Sequence, residues 1–200
     1  MHFKLYNNYN KIYLWKSLIV IAITGATGIP IAIKLLNILK EKRIETELII
    51  SKIAKKVIEL ETDYNISDIK KLATYYYNDD ELTAPPASGS HKFNAMIVIP
   101  CTMKTLSAIS HGYADNLITR AADVTIKEKR ILILSVRESP FSVIHLENML
   151  KLAKLGVIIA PPIPSYYIKP NNVDDLNKQL AGRILDLLAI DNDIKRWGNI

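Results

Sequence analysis

The sequence predicts an α/β fold of three layers, Rossmann-like, built on a mostly parallel sheet. Three observations carry this. Short β-branched apolar runs alternate along the chain with stretches whose apolar residues fall at helical spacing, which is the pattern of strand–helix–strand units. The first apolar run ends in the glycine turn Thr24-Gly25-Ala26-Thr27-Gly28, a common way from a strand into a helix. And 200 residues with 49% hydrophobic side chains suffice for one well-filled domain.

The elements follow in order. Residues 18–24 are mostly β-branched and uninterrupted by charge, as a strand buried on both faces requires. From Ile29 to about Lys42, Ile31, Leu35, Leu36 and Leu39 mark a helix, with Pro30 tolerated in its first turn. Residues 46–50 read as a strand and 54–61 as a helix; residues 75–90, with Pro85-Pro86 and Ser88-Gly89-Ser90, read as one long loop. A strand over 95–99 ends at Pro100, two helices cover 102–110 and 117–129, and a strand covers 131–136. An amphipathic helix over 141–155, a strand over 157–160 and a closing helix over 173–189 complete the pattern. No repeat or linker divides the chain: residues 1–17 form a loose extension, 18–190 a single domain, and 191–200 a tail.

Composition removes several classes of function. The net charge of +6 lies entirely in residues 1–60, and no basic stripe with base-reading or stacking motifs accompanies it, so no nucleic-acid partner is expected. The uncharged stretch 17–33 approaches the length of a bilayer span, but Gly25, Gly28 and Pro30 break it, which favours strand, turn and helix over a membrane segment. One cysteine, Cys101, permits no internal disulfide, so a cytoplasmic setting is expected. His2, His91, His111, His145 and Cys101 have no metal-ligand spacing, and no acidic motif holds magnesium against a diphosphate; no metal is expected.

In doubly wound sheets ligands bind beyond the carboxyl ends of the strands, and this chain places its turn-forming, hydroxyl and charged residues there. Gly25-Ala26-Thr27-Gly28 either presents backbone N–H groups to an anion or is a packing turn. It lacks a Walker lysine and a G-x-G-x-x-G, so neither a nucleoside triphosphate nor NAD is supported. Thr102 and Thr105 supply hydroxyls at a second helix start, and Lys104 and Thr105 could equally be a solvated first turn. Arg137 ends an apolar strand beside Glu138 and Pro140, where pockets form. Arg120, Lys127, Arg183 and Glu61 read individually as surface charges, and Cys101 as a packed small hydrophobe.

Nine segments together carry a resemblance: ITGATG (23–28), ISKIAKK (50–56), LETD (60–63), ASGS (87–90), VIPCTMKTLSAISHGYADNLITRAADVTIKEKR (98–130), VRESP (136–140), HLENMLKLAKLG (145–156), PPIPSYYIKP (161–170) and GRILDLL (182–188). They resemble the UbiX-type flavin prenyltransferases, within the flavoprotein superfamily that includes cysteine decarboxylases. The resemblance implies a Rossmann-like flavoprotein fold and a metal-independent enzyme that joins the dimethylallyl group of dimethylallyl phosphate to N5 and C6 of reduced FMN. It implies FMN contacts at Gly25, Ala26, Thr27, Ser51, Thr102, Met103, Lys104, Thr105 and Arg137. It implies prenyl-phosphate contacts at Tyr167 and Arg183, and a catalytic lining of Glu138, Glu61, Ser88, Lys127 and Arg120. It further implies a homo-oligomer, often a dodecamer, with sites between subunits, and a separate decarboxylase that receives the prenylated FMN.

This chain departs from the family pattern at Thr27 and Thr102, where serine is common and the hydroxyl is kept, at Pro30, and at His91 after the Ser88-Gly89-Ser90 turn. Two rival readings are weighed. A flavin-dependent cysteine-type decarboxylase would carry a PxMNxxMW-like segment where Pro100–Thr105 stands here. A non-catalytic FMN carrier would share the phosphate cradle without the chemistry.

Overall fold

The structure, a computed structural model, describes residues 18–198; the expected loose extension over 1–17 lies outside the described residues. Six strands, β1 (Leu18–Ile23), β2 (Glu45–Ile50), β3 (Tyr75–Asn78), β4 (Ala95–Cys101), β5 (Ile131–Val136) and β6 (Ile158–Ile159), form one sheet in the order β3-β2-β1-β4-β5-β6. Every pairing is parallel. The order reverses between β1 and β4, and there the loops after two neighbouring strands splay apart to leave a crevice.

Strand alternation divides the core in two. Ile19, Ile21 and Ile23 of β1 and Ile97 and Ile99 of β4 face α1 (Ile29–Glu41), α2 (Lys52–Glu61), α3 (Ile66–Lys70) and α7 (Val173–Leu187). Val20, Ala22, Met96 and Val98 face α4 (Met103–Ser110), α5 (Leu117–Lys127) and α6 (Val143–Lys154). Strands covered on both faces need no polar side, which is why β1 reads as an unbroken apolar run.

The structure revises four expectations. Residues 75–90 are not one loop: Tyr75–Asn78 form the edge strand β3, paired to β2 from Tyr75↔Glu47 to Asn78↔Ile50, and Pro85–Ala87 form a 3-10 turn. Four residues rich in tyrosine show too short an alternation to be recognised. Helix α3, five residues long, was also invisible to periodicity. Strand β4 runs through Pro100 to Cys101; its pairing with β5 shifts register between Val98 and Cys101, and such an irregularity is where a ladder accommodates a residue with no N–H. Finally, α6 starts at Val143, capped by Ser142, whose Oγ accepts from His145 N–H (3.3 Å) while His145 Nδ1 accepts from Ser142 N–H (3.2 Å). Its buried side chains are Asn148 and Leu152, whereas Val143, Ile144, Leu146 and Leu150 face outward.

Residues beyond α7 pack back on it. Ile194 lies in the groove that Gly182 leaves by having no side chain, and Asn192 Nδ2 donates to the Gly182 carbonyl (3.2 Å).

Candidate functional site

The carboxyl ends of β1 and β4 are tied by Thr24. Its hydroxyl donates to the Pro100 carbonyl (2.7 Å) and accepts from Thr102 N–H (3.0 Å), so the loops following the two strands are held in one geometry. Thr102 caps α4: its Oγ1 accepts from Thr105 N–H (3.2 Å) and donates to Thr105 Oγ1 (3.0 Å). The Met103 and Lys104 N–H groups open the first turn of α4, where a helix has donors without intrahelical partners. Ser51 does for α2 what Thr102 does for α4, accepting from Ala54 N–H (3.1 Å). Gly25 has no room for a side chain, because a Cβ there would run into Ile53. Arg137 and Glu138 follow β5 and are exposed; Arg137 N–H donates to the Cys101 carbonyl (3.0 Å), which joins this loop to the same edge.

Thus Gly25, Ala26, Thr27, Ser51, Thr102, Met103, Lys104, Thr105, Arg137 and Glu138 all lie along one edge of the sheet. Glu61 joins them from the end of α2: its Oε2 accepts from Gly28 N–H (2.9 Å) and Ile29 N–H (3.1 Å). A carboxylate therefore already occupies the positive end of α1, and an anion on this edge is directed to the start of α4 instead. Cys101 is fully buried and burial pushes its thiol up to about 12, so it is no nucleophile at neutral pH.

Arg183 projects from α7 over a cleft of about 240 Å³ at the ends of β5 and β6, whose walls include Ile31, Ile99, Ser135, Pro161 and Ile184. Its guanidinium donates to Asp186 (2.7 Å), which also receives a two-pronged contact from Arg196 (2.9 and 2.9 Å). Partial burial alone would raise the Asp186 carboxyl; hydrogen bonds from Arg196, Asn192 and Arg183 outweigh it and hold the carboxyl below the usual range. Tyr167 lies nearby in the fold, its hydroxyl accepting from Gln179 Nε2 (3.3 Å) and its ring meeting Trp197 edge-on at 5.4 Å.

Ser88, Arg120 and Lys127 gather elsewhere. Arg120 Nε donates to the Ala87 carbonyl (3.1 Å), and Gly89 lies so close to α5 that a Cβ would come within 2.6 Å of Lys127 Nζ. Lys127 pairs with Glu128. The cluster runs along α5: Leu117 N–H, one turn before Arg120, donates to the Asp79 carbonyl after β3. Lys127 instead lies toward the amino end of the sheet, as does Asn94 after the turn, which exchanges hydrogen bonds with Leu18, the first residue of β1. Lys127 ends α5 just before β5, and Arg137 follows β5; six strand residues, about 20 Å, separate the two levels. Within one chain Lys127 and the 88–90 turn lie toward the amino end of the sheet, the first group lies at its carboxyl end, and Arg120 stands on α5 between them.

Sequence reading missed Thr24, whose β-branched side chain is indistinguishable from its strand neighbours, and Asp186, which lies inside a helical pattern. Among the described residues no three His, Cys, Asp or Glu side chains are grouped to hold a metal ion, and no helix is long and apolar enough to cross a membrane.

The Flavoprotein family model matches residues 9–185. Flavin prenyltransferase UbiX of Methanocaldococcus jannaschii is 55% identical over 183 residues, covering 91% of this chain and 99% of that protein. The crystal structure of AnUbiX (PadA1) in complex with FMN and dimethylallyl pyrophosphate is similar at TM-score 0.91 and 47% identity, covering 92% of this chain and 99% of that one. A protein of Escherichia coli O157:H7, described as a dodecameric FMN-dependent UbiX-like decarboxylase, is similar at TM-score 0.88 and 46% identity, covering 90% of this chain and 98% of that one.

Proposed function

The chain belongs to the Flavoprotein family and, within it, to the UbiX-type flavin prenyltransferases, and we propose that it transfers the dimethylallyl group of dimethylallyl phosphate to reduced FMN in sites shared between subunits. The observation that carries the shared site is the division of the candidate residues between opposite ends of the sheet: Thr102, Thr105 and Arg137 at one, Ser88 and Lys127 at the other.

The residues present fit a flavin mononucleotide. The Thr102-capped start of α4, with its unpaired first-turn N–H groups and the adjacent Lys104, suits a dianionic phosphate, and the bare Gly25 backbone allows close approach. Reduced flavin supplies the nucleophilic N5, so the protein needs no nucleophile of its own. Arg137 stands where both ligands meet. Arg183 and Tyr167 hold the phosphate of the prenyl donor, and Arg183, with Lys127 and Arg120 contributed by a neighbouring copy, stabilises the charge gathering on that phosphate as it leaves. Ser88 of the same neighbour lines the reaction space. Glu61 fixes the Gly28 end of the first loop, and Glu138, exposed beside Arg137, is the group proposed to hold a proton at the flavin edge. Charge neutralisation by these cations makes the transfer independent of a metal. Walls around the prenyl group exclude water that would otherwise capture an allylic cation.

Assembly is supported by α6, whose Val143, Ile144, Leu146 and Leu150 present an apolar surface suited to a second copy, and the dodecamer of the E. coli relative is the assembly we infer. The product goes to a separate decarboxylase, and the single buried cysteine suits a cytoplasmic setting.

Mixing two inactive variants tests the shared site. Arg137→Ala and Lys127→Ala should each abolish transfer; after dissociation and reassembly together, some sites regain both intact residues and activity returns. No recovery in verified mixed oligomers would mean that both residues serve a site within one chain.

A further inference from the structure

We propose that Glu47, a carboxylate inside the sheet, is a positioning residue that sets the 88–90 turn through His91. The inference rests on the reading above that this turn forms part of the prenyl-donor site. Glu47 lies on β2, 1% exposed, on the face that packs against α5 and the loop leading to β4. A charge buried there costs stability unless it is paired, and an apolar residue would serve the sheet better.

Its partners point at the turn. His91 Nε2 lies 3.0 and 3.1 Å from the two carboxylate oxygens, and the Tyr77 hydroxyl donates to Oε1 (3.2 Å). His91 is the last residue of the turn: its N–H donates to the Ser88 carbonyl (3.3 Å), closing a loop in which Ser88 Oγ lies 2.9 Å from Ser90 Oγ and accepts from Ser90 N–H (3.3 Å). The imidazole is also flanked by the Phe93 ring, centroids 6.1 Å apart, with the Arg130 guanidinium over that ring at 4.2 Å. Arg130 reaches on to the Gly89 carbonyl (2.9 Å). The other anchors of this segment, Arg120 on Ala87 and Arg130 on Gly89, are long side chains on its backbone. Glu47 alone grips a side chain of the turn from within the sheet.

Steady-state kinetics with reduced FMN and dimethylallyl phosphate test this on the assembled protein. Glu47→Gln and His91→Ala should each raise KM for dimethylallyl phosphate on the order of tenfold, the scale of one lost charged hydrogen bond, with kcat and FMN affinity nearly unchanged. The double variant should be no worse than either single one, and His91→Gln, which keeps a donor, should restore most of the loss. Ser88→Ala is the reference. If it raises KM while Glu47→Gln and His91→Ala do not, the positioning role is wrong and the site reading survives. If Ser88→Ala leaves KM unchanged, the turn is outside the site and both ideas fall. Multiplicative effects in the double variant would also overturn the coupling. Should Glu47→Gln fail to assemble, His91→Ala and His91→Gln decide alone, and equal KM values for the two would refute the proposal.

Discussion

Thr102 shows how one hydroxyl can belong to both the fold and the site. It caps α4 and donates to Thr105 Oγ1, while the backbone N–H of the same residue donates to the Thr24 hydroxyl across the crevice. Thr102→Ala should cost about 1 kcal/mol, the usual cost of losing an N-cap, and weaken FMN binding, whereas Thr102→Ser should preserve both; thermal unfolding and flavin fluorescence titration would measure the two effects. Tyr77 gives a pH signature. Burial, reinforced by the Glu47 carboxylate, pushes its phenol from 10.0 up to about 12. The folded state thus keeps a proton that the unfolded chain loses, so this group's contribution to stability is complete below pH 10 and disappears as pH rises towards about 12. Burial also raises the Tyr76 phenol, so ultraviolet titration should show a late-ionising tyrosine fraction in the parent protein that shrinks, without vanishing, in Tyr77→Phe. At this scale the sequence was only partly legible. Thr102 and Arg137 were visible because they end apolar runs, but Thr24, Glu47 and Asp186 sit inside runs whose periodicity hides them, and only their partners in space reveal what they do.

Elements were easier to read where burial imposes a period. Strands β1, β2 and β5, covered on both faces, and α1, with seven buried apolar residues, declared themselves in the apolar pattern. Strand β3 and α3 did not, since four and five residues are too few to repeat a period. Helix α6 was legible as a helix, but its apolar period did not show which side is buried: Val143, Ile144, Leu146 and Leu150 are exposed in the single chain, the surface proposed above to meet a second copy. Ile144 is 66% exposed in the single chain. Ile144→Glu should therefore leave the fold and its circular dichroism intact while reducing the assembly to smaller species in analytical ultracentrifugation; an unchanged oligomer would move the interface elsewhere.

For the whole molecule, the parallel order β3-β2-β1-β4-β5-β6 sets candidate residues of one chain at different levels of the sheet, which is the basis of the proposed shared site. The crevice at the β1/β4 reversal gathers the hydroxyls and Arg137, while α5 and the turn before β4 carry Ser88 and Lys127 to the far edge. Such a division is legible in sequence only once strand direction is known, for residues near in sequence, such as Lys127 and Arg137, end on opposite sides of the sheet. What unites them is the transfer itself, and the mass of the flavin tests it most directly. After anaerobic incubation with reduced FMN and dimethylallyl phosphate in the presence of a chelator, the extracted flavin should be heavier than reduced FMN by one C5H8 unit, with inorganic phosphate released. A flavin that keeps the mass of FMN, whether or not a cysteine-ended peptide loses carbon dioxide beside it, would contradict the account.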